Sequence, residues 1–229
     1  LHGDERVDDR LPGRQGRLLF AHLVLGRRTV TAREALVDLL WGEAPPEAAD
    51  AALSSLLSKL RRIVPVEGRT ELRLGLPTDT WVDVEVACEA VHRAESCAAR
   101  EDWSSGWGPA RVAQHVSERP FLPGEAGLWV SARRRGLDAI RIHALELAGL
   151  AAMHIGGGEL ATAERTAERL VELVPLRESG TRLLMEIHSM RGNRAEALLA
   201  YEALRQRLRD ELGVGPSAET VEAHRRLLT

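Results

Sequence analysis

Over the first third of the chain the apolar positions fall three and four apart. Leu18, Leu19, Phe20, Leu23, Val24 and Leu25 cover a broad face at helical spacing before Gly26, which predicts a helix over 14–25. Thr31-Ala32-Arg33-Glu34 reads as a T-x-x-E capping box ahead of Leu36, Leu39 and Leu40, so a second short helix is expected to reach Trp41 and stop at Gly42. Pro45-Pro46-Glu47 supplies a turn, a proline suited to a first helical position and an acidic group for the positive end of a helix. A third helix is therefore expected as far as Ile63. On it Leu53, Leu56, Leu57 and Leu60 form one stripe, and rotation by about 100° per residue sets Ala51, Ser55, Ser58 and Arg62 opposite, with Ser54, Lys59 and Arg61 flanking. After Pro65 the period changes to two: Leu72, Leu74 and Leu76 alternate with Glu71, Arg73 and Gly75, a strand entered through a turn at Glu67-Gly68. Three helices and a hairpin are the order of a winged helix-turn-helix, assigned to residues 1–82. Residues 1–13 read as the end of a truncated strand region.

Beyond Asp83 the period of two does not return. Helices are expected over 83–99, 108–118, 127–154, 159–173, 177–191, 194–211 and 217–228, with breakers at Pro120 to Gly127, Gly156-Gly157-Gly158 and Gly192-Asn193. Gly158, Ala161 and Ala163 recur 34 residues later as Gly192, Ala195 and Ala197, the period of tetratricopeptide units. Alanine at those spacings lets neighbouring helices approach closely, each pair covering the next pair's apolar face. The expected fold is mostly α: a winged helix-turn-helix domain followed by an all-α tetratricopeptide-like domain over 83–229.

Composition changes this picture little. No apolar run approaches the roughly 20 residues that span a bilayer, and no export signal is visible, so a cytoplasmic protein without membrane contact is expected. Cys88 and Cys97 are the two cysteines, nine positions apart on one helix and so on opposite sides of it, which favours reduced thiols over a bridge or metal site. A net charge of −3 carries no global basic field. Residues 1–75 hold 12 Lys and Arg against 11 Asp and Glu, so a nucleic-acid reading must rest on local placement.

The third helix offers that placement, with one side buried and the other able to enter a major groove about 12 Å wide. Ser54, Ser55 and Ser58 permit close approach and hydrogen bonding, while Lys59, Arg61 and Arg62 have the reach for phosphates or guanine edges. Arg69 at the hairpin tip and Arg73 on its strand sit where a wing meets the DNA backbone or minor groove. These eight residues are the candidate contacts to double-stranded DNA; an ordinary amphipathic surface helix is the competing reading. Arg133-Arg134-Arg135 spans nearly a full turn and reads as solvated surface. The triple glycine lacks the strand and the Lys-Ser or Lys-Thr of a phosphate cradle, the eight histidines show no metal spacing, and no nucleophile elbow is present. No catalysis, cofactor or metal is expected.

The segment Leu36-Val37-Asp38-Leu39-Leu40-Trp41-Gly42, then Pro45-Pro46, then Leu57-Ser58-Lys59-Leu60-Arg61-Arg62, resembles the winged helix of the bacterial transcriptional activator family that includes the actinobacterial antibiotic-pathway regulators. Trp129 with Arg133, Pro175-Leu176-Arg177-Glu178, the run Gly192 to Leu198, Tyr201, Glu211-Leu212-Gly213 and Pro216-Ser217 resemble that family's activator domain. The resemblance implies binding to repeated promoter elements, and a helical domain serving homodimerisation, signal input or contact with RNA polymerase or a sigma factor. It also implies a sheet before the first helix, of which 1–11 is expected to be a remnant, the chain then being a fragment or a module of a larger protein. Ser54, Ser55 and Leu56 stand where the family often has a polar or histidine residue, so base preference does not carry over. Two alternatives to a transcriptional regulator stay open: an interaction scaffold that binds no DNA, and a ligand-sensing module of a larger signalling protein.

Overall fold

The computed structural model describes residues 8–229, and the chain divides into two compact units. One comprises residues up to Val82 together with Pro120–Arg134; the other comprises Asp83–Arg119 and Arg135–Thr229. The division after Val82 falls where the hydrophobic period changes. The return of 120–134 to the first unit has no counterpart in the pattern of the sequence.

The first unit holds α1 (Gly13–Leu25), α2 (Arg33–Trp41) and α3 (Ala49–Arg61), with three short strands, β1 (Thr31–Ala32), β2 (Val66–Glu67) and β3 (Glu71–Leu74). The strands form an antiparallel sheet in the order β1-β3-β2, with Thr31 opposite Leu72 and Val66 opposite Leu74. Leu19, Leu23, Leu36, Leu53, Leu57 and Leu60 fill the centre, and Val66, Leu72 and Leu74 close it from the sheet. Leu56, expected in the buried stripe, is only half-buried. The capping box does not form. Thr31 is drawn into the sheet, Ala32 takes the cap position without a side-chain bond, and the Arg33 N–H donates to the Thr70 carbonyl at 2.9 Å. Gly68 turns the hairpin at φ +86°, and a Cβ there would stand 1.8 Å from the Glu71 carbonyl oxygen, so the turn requires glycine. Of the strand remnant expected over 1–11, residues 1–7 lie outside the described residues, and Asp8–Arg10 forms a 3₁₀ turn.

The second unit is all helical: α4 (Asp83–Ala98), α5 (Trp103–Ser117), α6 (Leu128–Ile155, counted with this unit from Arg135), α7 (Leu160–Leu173), α8 (Glu178–Met190), α9 (Arg194–Leu212) and α10 (Ala218–Leu228). Helix α5 begins five residues before its expected start. Asp102 caps it by accepting from the Ser105 N–H at 3.2 Å, and Pro109 is tolerated inside it. The unit's core is a succession of small clusters. Ala90, Ala94, Ala110, Ala113, Ala144 and Ala148 join α4, α5 and α6; Ala152, Ala163, Ala167, Leu183 and Ile187 join α6, α7 and α8; Met185, Ala197, Tyr201 and Leu227 join α8, α9 and α10. This is the packing of stacked helical repeats. The second alanine of each repeat, Ala163 and Ala197, is fully buried, whereas Ala195 is exposed. At Gly149 a Cβ would meet Leu183 Cδ2 at 2.6 Å, so α6 and α8 pack closely there.

Candidate nucleic-acid interface

Leu53, Leu57 and Leu60 lie at i, i+4 and i+7 on α3 and are fully buried, which fixes the helix's rotation. Ser55, Ser58, Lys59 and Arg62 are consequently exposed, and none of their side chains makes a hydrogen bond or ion pair among the described residues. Arg69, exposed at the hairpin tip, is likewise unengaged. These five residues form a polar face with one free cation on α3, Lys59, one at its C-cap, Arg62, and one on the wing, Arg69.

The other three candidates are committed within the unit. Ser54 Oγ donates to the Asp50 carbonyl at 2.8 Å and accepts from Arg33, whose guanidinium also binds the Asp50 carboxylate. The cluster fastens the start of α2 to the start of α3. Arg61 donates from Nε to the Val66 carbonyl at 3.2 Å and from Nη2 to the Gly68 carbonyl at 2.7 Å, holding the hairpin to the end of α3. Arg73 pairs with Glu67, its partner in the β2–β3 register, at 2.9 Å. Ser54, Arg61 and Arg73 therefore shape the face that the other five present.

Sequence reasoning missed Arg33 because it read that stretch as a cap. It also missed the segment 120–134. Arg14 Nε donates to Glu125 Oε2 at 2.6 Å, and Glu125 is only 7% exposed. The Trp129 ring lies 4.9 Å from His22 on α1 and 5.8 Å from Phe121. Burial, reinforced by the nearby Arg133 guanidinium, holds the His22 imidazole below its ordinary pKa and therefore neutral at pH 7. The reading of Arg133-Arg134-Arg135 as solvated surface holds for Arg133 and Arg135, both exposed, and is corrected for Arg134. Arg133 lies 5.7 Å over the Trp129 ring, and Arg134 caps the carbonyls of Phe121 and Leu122 at 3.1 and 2.6 Å, because the turn before α6 brings those acceptors within reach. The sequence links Trp129 with Arg133 only by resemblance to the activator domain over 83–229, whereas both fall in the first unit.

Among the described residues no group of His, Cys, Asp and Glu is placed to hold a metal, and no helix is long and apolar enough to cross a membrane. Cys88 and Cys97 are both free, and burial, followed by the nearby Glu85, pushes the Cys88 thiol above its ordinary pKa. A raised pKa leaves less of the nucleophilic thiolate.

Comparison with known proteins bears on both units. The bacterial transcriptional activator domain matches residues 82–228. The chain is 34% identical over 221 residues to the regulatory protein AfsR of Streptomyces coelicolor, an alignment covering 93% of this chain and 22% of that protein. With AfsR of Streptomyces griseus it shares 31% identity over 229 residues, covering 99% of this chain and 23% of that one. The transcriptional regulator RedD of Streptomyces coelicolor is 28% identical, over 93% of this chain and 63% of RedD. The chain thus spans less than a quarter of either AfsR and under two thirds of RedD. In structure it resembles Mycobacterium tuberculosis EmbR, solved in complex with a low-affinity phosphopeptide, with a TM-score of 0.81 at 22% identity over 94% of this chain and 59% of that one. That likeness supports the mostly helical architecture of winged helix and tetratricopeptide-like repeats. On the match over 82–228, more than half its length, the chain belongs to the family of the bacterial transcriptional activator domain.

Proposed function

We propose that this chain is a transcriptional regulator that binds double-stranded DNA through the outer face of α3 and the β2–β3 wing. The observation that carries the reading is the pairing of a fully buried Leu53, Leu57 and Leu60 stripe with an exposed, unengaged Ser55, Ser58, Lys59 and Arg62 face. A helix anchored on one side and lined with small hydroxyls and cations on the other fits the major groove, where short side chains permit approach and long ones reach phosphate or base edges. Arg69 stands ready at the tip of a wing that Arg61 holds in place. The names of the relatives, regulators in each case, support the same reading. The helical unit then serves protein contacts in the cytoplasm, with a second copy or with RNA polymerase or its sigma factor. Activation at repeated promoter elements is the direction that family membership favours.

Near-balanced charge makes the affinity modest and strongly dependent on salt. Selection of bound fragments from a randomised duplex library with the purified chain tests the proposal: a recurrent motif supports it, and no enrichment over input overturns it. A second reading, a scaffold whose winged helix binds no DNA, is favoured by one observation. Ser54, Arg61 and Arg73, three of eight candidate contacts, are occupied within the unit.

A further inference from the structure

The second unit encloses an open-sided cavity of about 730 Å³ between α6, α8 and α10. Its volume falls within the roughly 300–1,000 Å³ of small-molecule sites. The floor is apolar, made by Leu147 and Leu150 of α6, Leu183 and Met185 of α8, and Leu227 of α10. Two of the chain's three methionines, Met185 and Met190, line it, and Met190 is 52% exposed there. Flexible thioethers suit a surface that reshapes around an apolar guest.

Three arginines stand on the lining, Arg177, Arg182 and Arg226, against two glutamates, Glu146 and Glu186. They are not equivalent. Arg177 is forked onto Glu146 at 2.8 and 2.9 Å, so that pair is closed. Arg182 donates to Thr220 Oγ1 at 3.0 Å and faces two carboxylates, Glu178, on which its charge acts, and Glu219 at 3.5 Å, which is 79% exposed and readily exchanged for another. Arg226 is exposed, and its guanidinium makes no hydrogen bond or ion pair among the described residues. Glu186, four residues beyond Arg182 on α8, is exposed, and it disfavours a second anionic group. An apolar floor with one free and one weakly held guanidinium at its edge is complementary to a guest with an apolar body and a single anionic head, since a planar guanidinium binds carboxylate or phosphate in a fork.

We infer that this cavity binds a small amphipathic anion, its apolar body on the α6–α8–α10 floor and its carboxylate or phosphate on Arg226 and Arg182. The site lies wholly within the helical unit and does not depend on the DNA-binding reading.

Isothermal titration of the purified chain with four ten-carbon probes below their micellar concentrations tests the inference. Decanoate and decyl phosphate carry the two candidate heads, while decan-1-ol and decyltrimethylammonium are the neutral and cationic controls. One-to-one binding of at least one anion, about tenfold tighter than either control, is the expected result for one charge-assisted contact. The anion that binds more tightly identifies the head group. Exposed Arg226 is replaced without touching the core, so Arg226→Glu should keep the melting temperature of the free protein and weaken the anion by about tenfold or more. Ala223→Trp, which fills the cavity from α10, should abolish binding of all four. Equal affinity for anion and controls, no binding of either anion, or full affinity retained in Arg226→Glu overturns the inference. So does a monomer-forming effect of Arg226→Glu in sedimentation with unchanged decanoate affinity, which would make the face a contact between copies.

Discussion

Removing Arg14 should loosen 120–134 from the first unit, at a cost set by the carboxylate left behind. The Arg14–Glu125 pair is lopsided: the guanidinium side chain is 62% exposed and the carboxylate side chain 6%. In Arg14→Ala the arginine loses little, because water covers most of it already. Glu125, unable to reach water where it lies, loses its charge-assisted donor, and hydrogen bonds to charged groups are worth about 1.5–3 kcal/mol. An ion pair broken in full burial costs about 3–5 kcal/mol, and the exposed arginine places this pair below that range. About 2 kcal/mol is expected. Glu125→Gln removes the buried charge and keeps an acceptor, so it should cost about 1 kcal/mol or less, and Arg14→Ala should then cost about 1 kcal/mol or less in the Glu125→Gln background, for the neutral hydrogen bond that remains. Urea unfolding of the four proteins closes this cycle, with an expected coupling of about 1 kcal/mol or more. Equal effects of Arg14→Ala in both backgrounds would refute the pairing.

Other perturbations separate the remaining parts of the account. Ala197→Phe, at a fully buried junction of α8, α9 and α10, should overpack it by about 1–3 kcal/mol and lower the melting temperature, an outcome thermal denaturation reads directly. Gly68→Ala, with its Cβ directed at the Glu71 carbonyl and φ at +86°, should disorder the wing and weaken DNA binding while the helical circular dichroism is retained. Burial alone would raise the Glu178 carboxyl, but hydrogen bonds from Thr220 and Ser217 and the Arg182 charge outweigh it and hold the pKa below the ordinary value. A depressed folded-state pKa contributes stability that is present above the unfolded value of about 4.3 and is lost as pH falls through the folded one. Urea midpoints from pH 6 down to pH 3 should therefore fall less steeply in Glu178→Gln than in the parent chain, and parallel profiles would remove Glu178 as the latch between α8 and α10.

What the sequence disclosed and what it hid divide along the length scale of the interactions. Leu53, Leu57 and Leu60 announce the buried face of α3 because helical rotation alone relates them, and Gly158 and Gly192 announce a repeat because each unit packs on its own neighbours. Thr31 misled because its local role as a cap competes with a strand partner, Leu72, far along the chain. The start of α5, expected at 108, lies at Trp103 because Asp102 caps it there, and the packed Ala110 and Ala113 carry the helix through Pro109. The contact between Arg14 and Glu125 joins residues 111 positions apart, and no periodicity encodes it. Within the candidate site, Arg61 and Arg62 are adjacent and look alike as letters. Only the position of the hairpin carbonyls of Val66 and Gly68 turns Arg61 into a strut and leaves Arg62 free.

The central claim is that the outer face of α3 meets DNA, and titration of a selected duplex by fluorescence anisotropy at several salt concentrations tests it most directly. The parent chain, Lys59→Ala, Arg62→Ala and the double variant are compared. If a side chain neutralises a phosphate, its loss should weaken binding across sequences and reduce the salt slope by about 1, through fewer released counterions. If it grips a guanine edge, the loss should be about 1–3 kcal/mol and confined to one base position. The account predicts that the double variant binds more weakly at every salt concentration, by one or both routes. Affinity, salt slope and base preference all unchanged in the double variant would contradict it and leave the scaffold reading in its place.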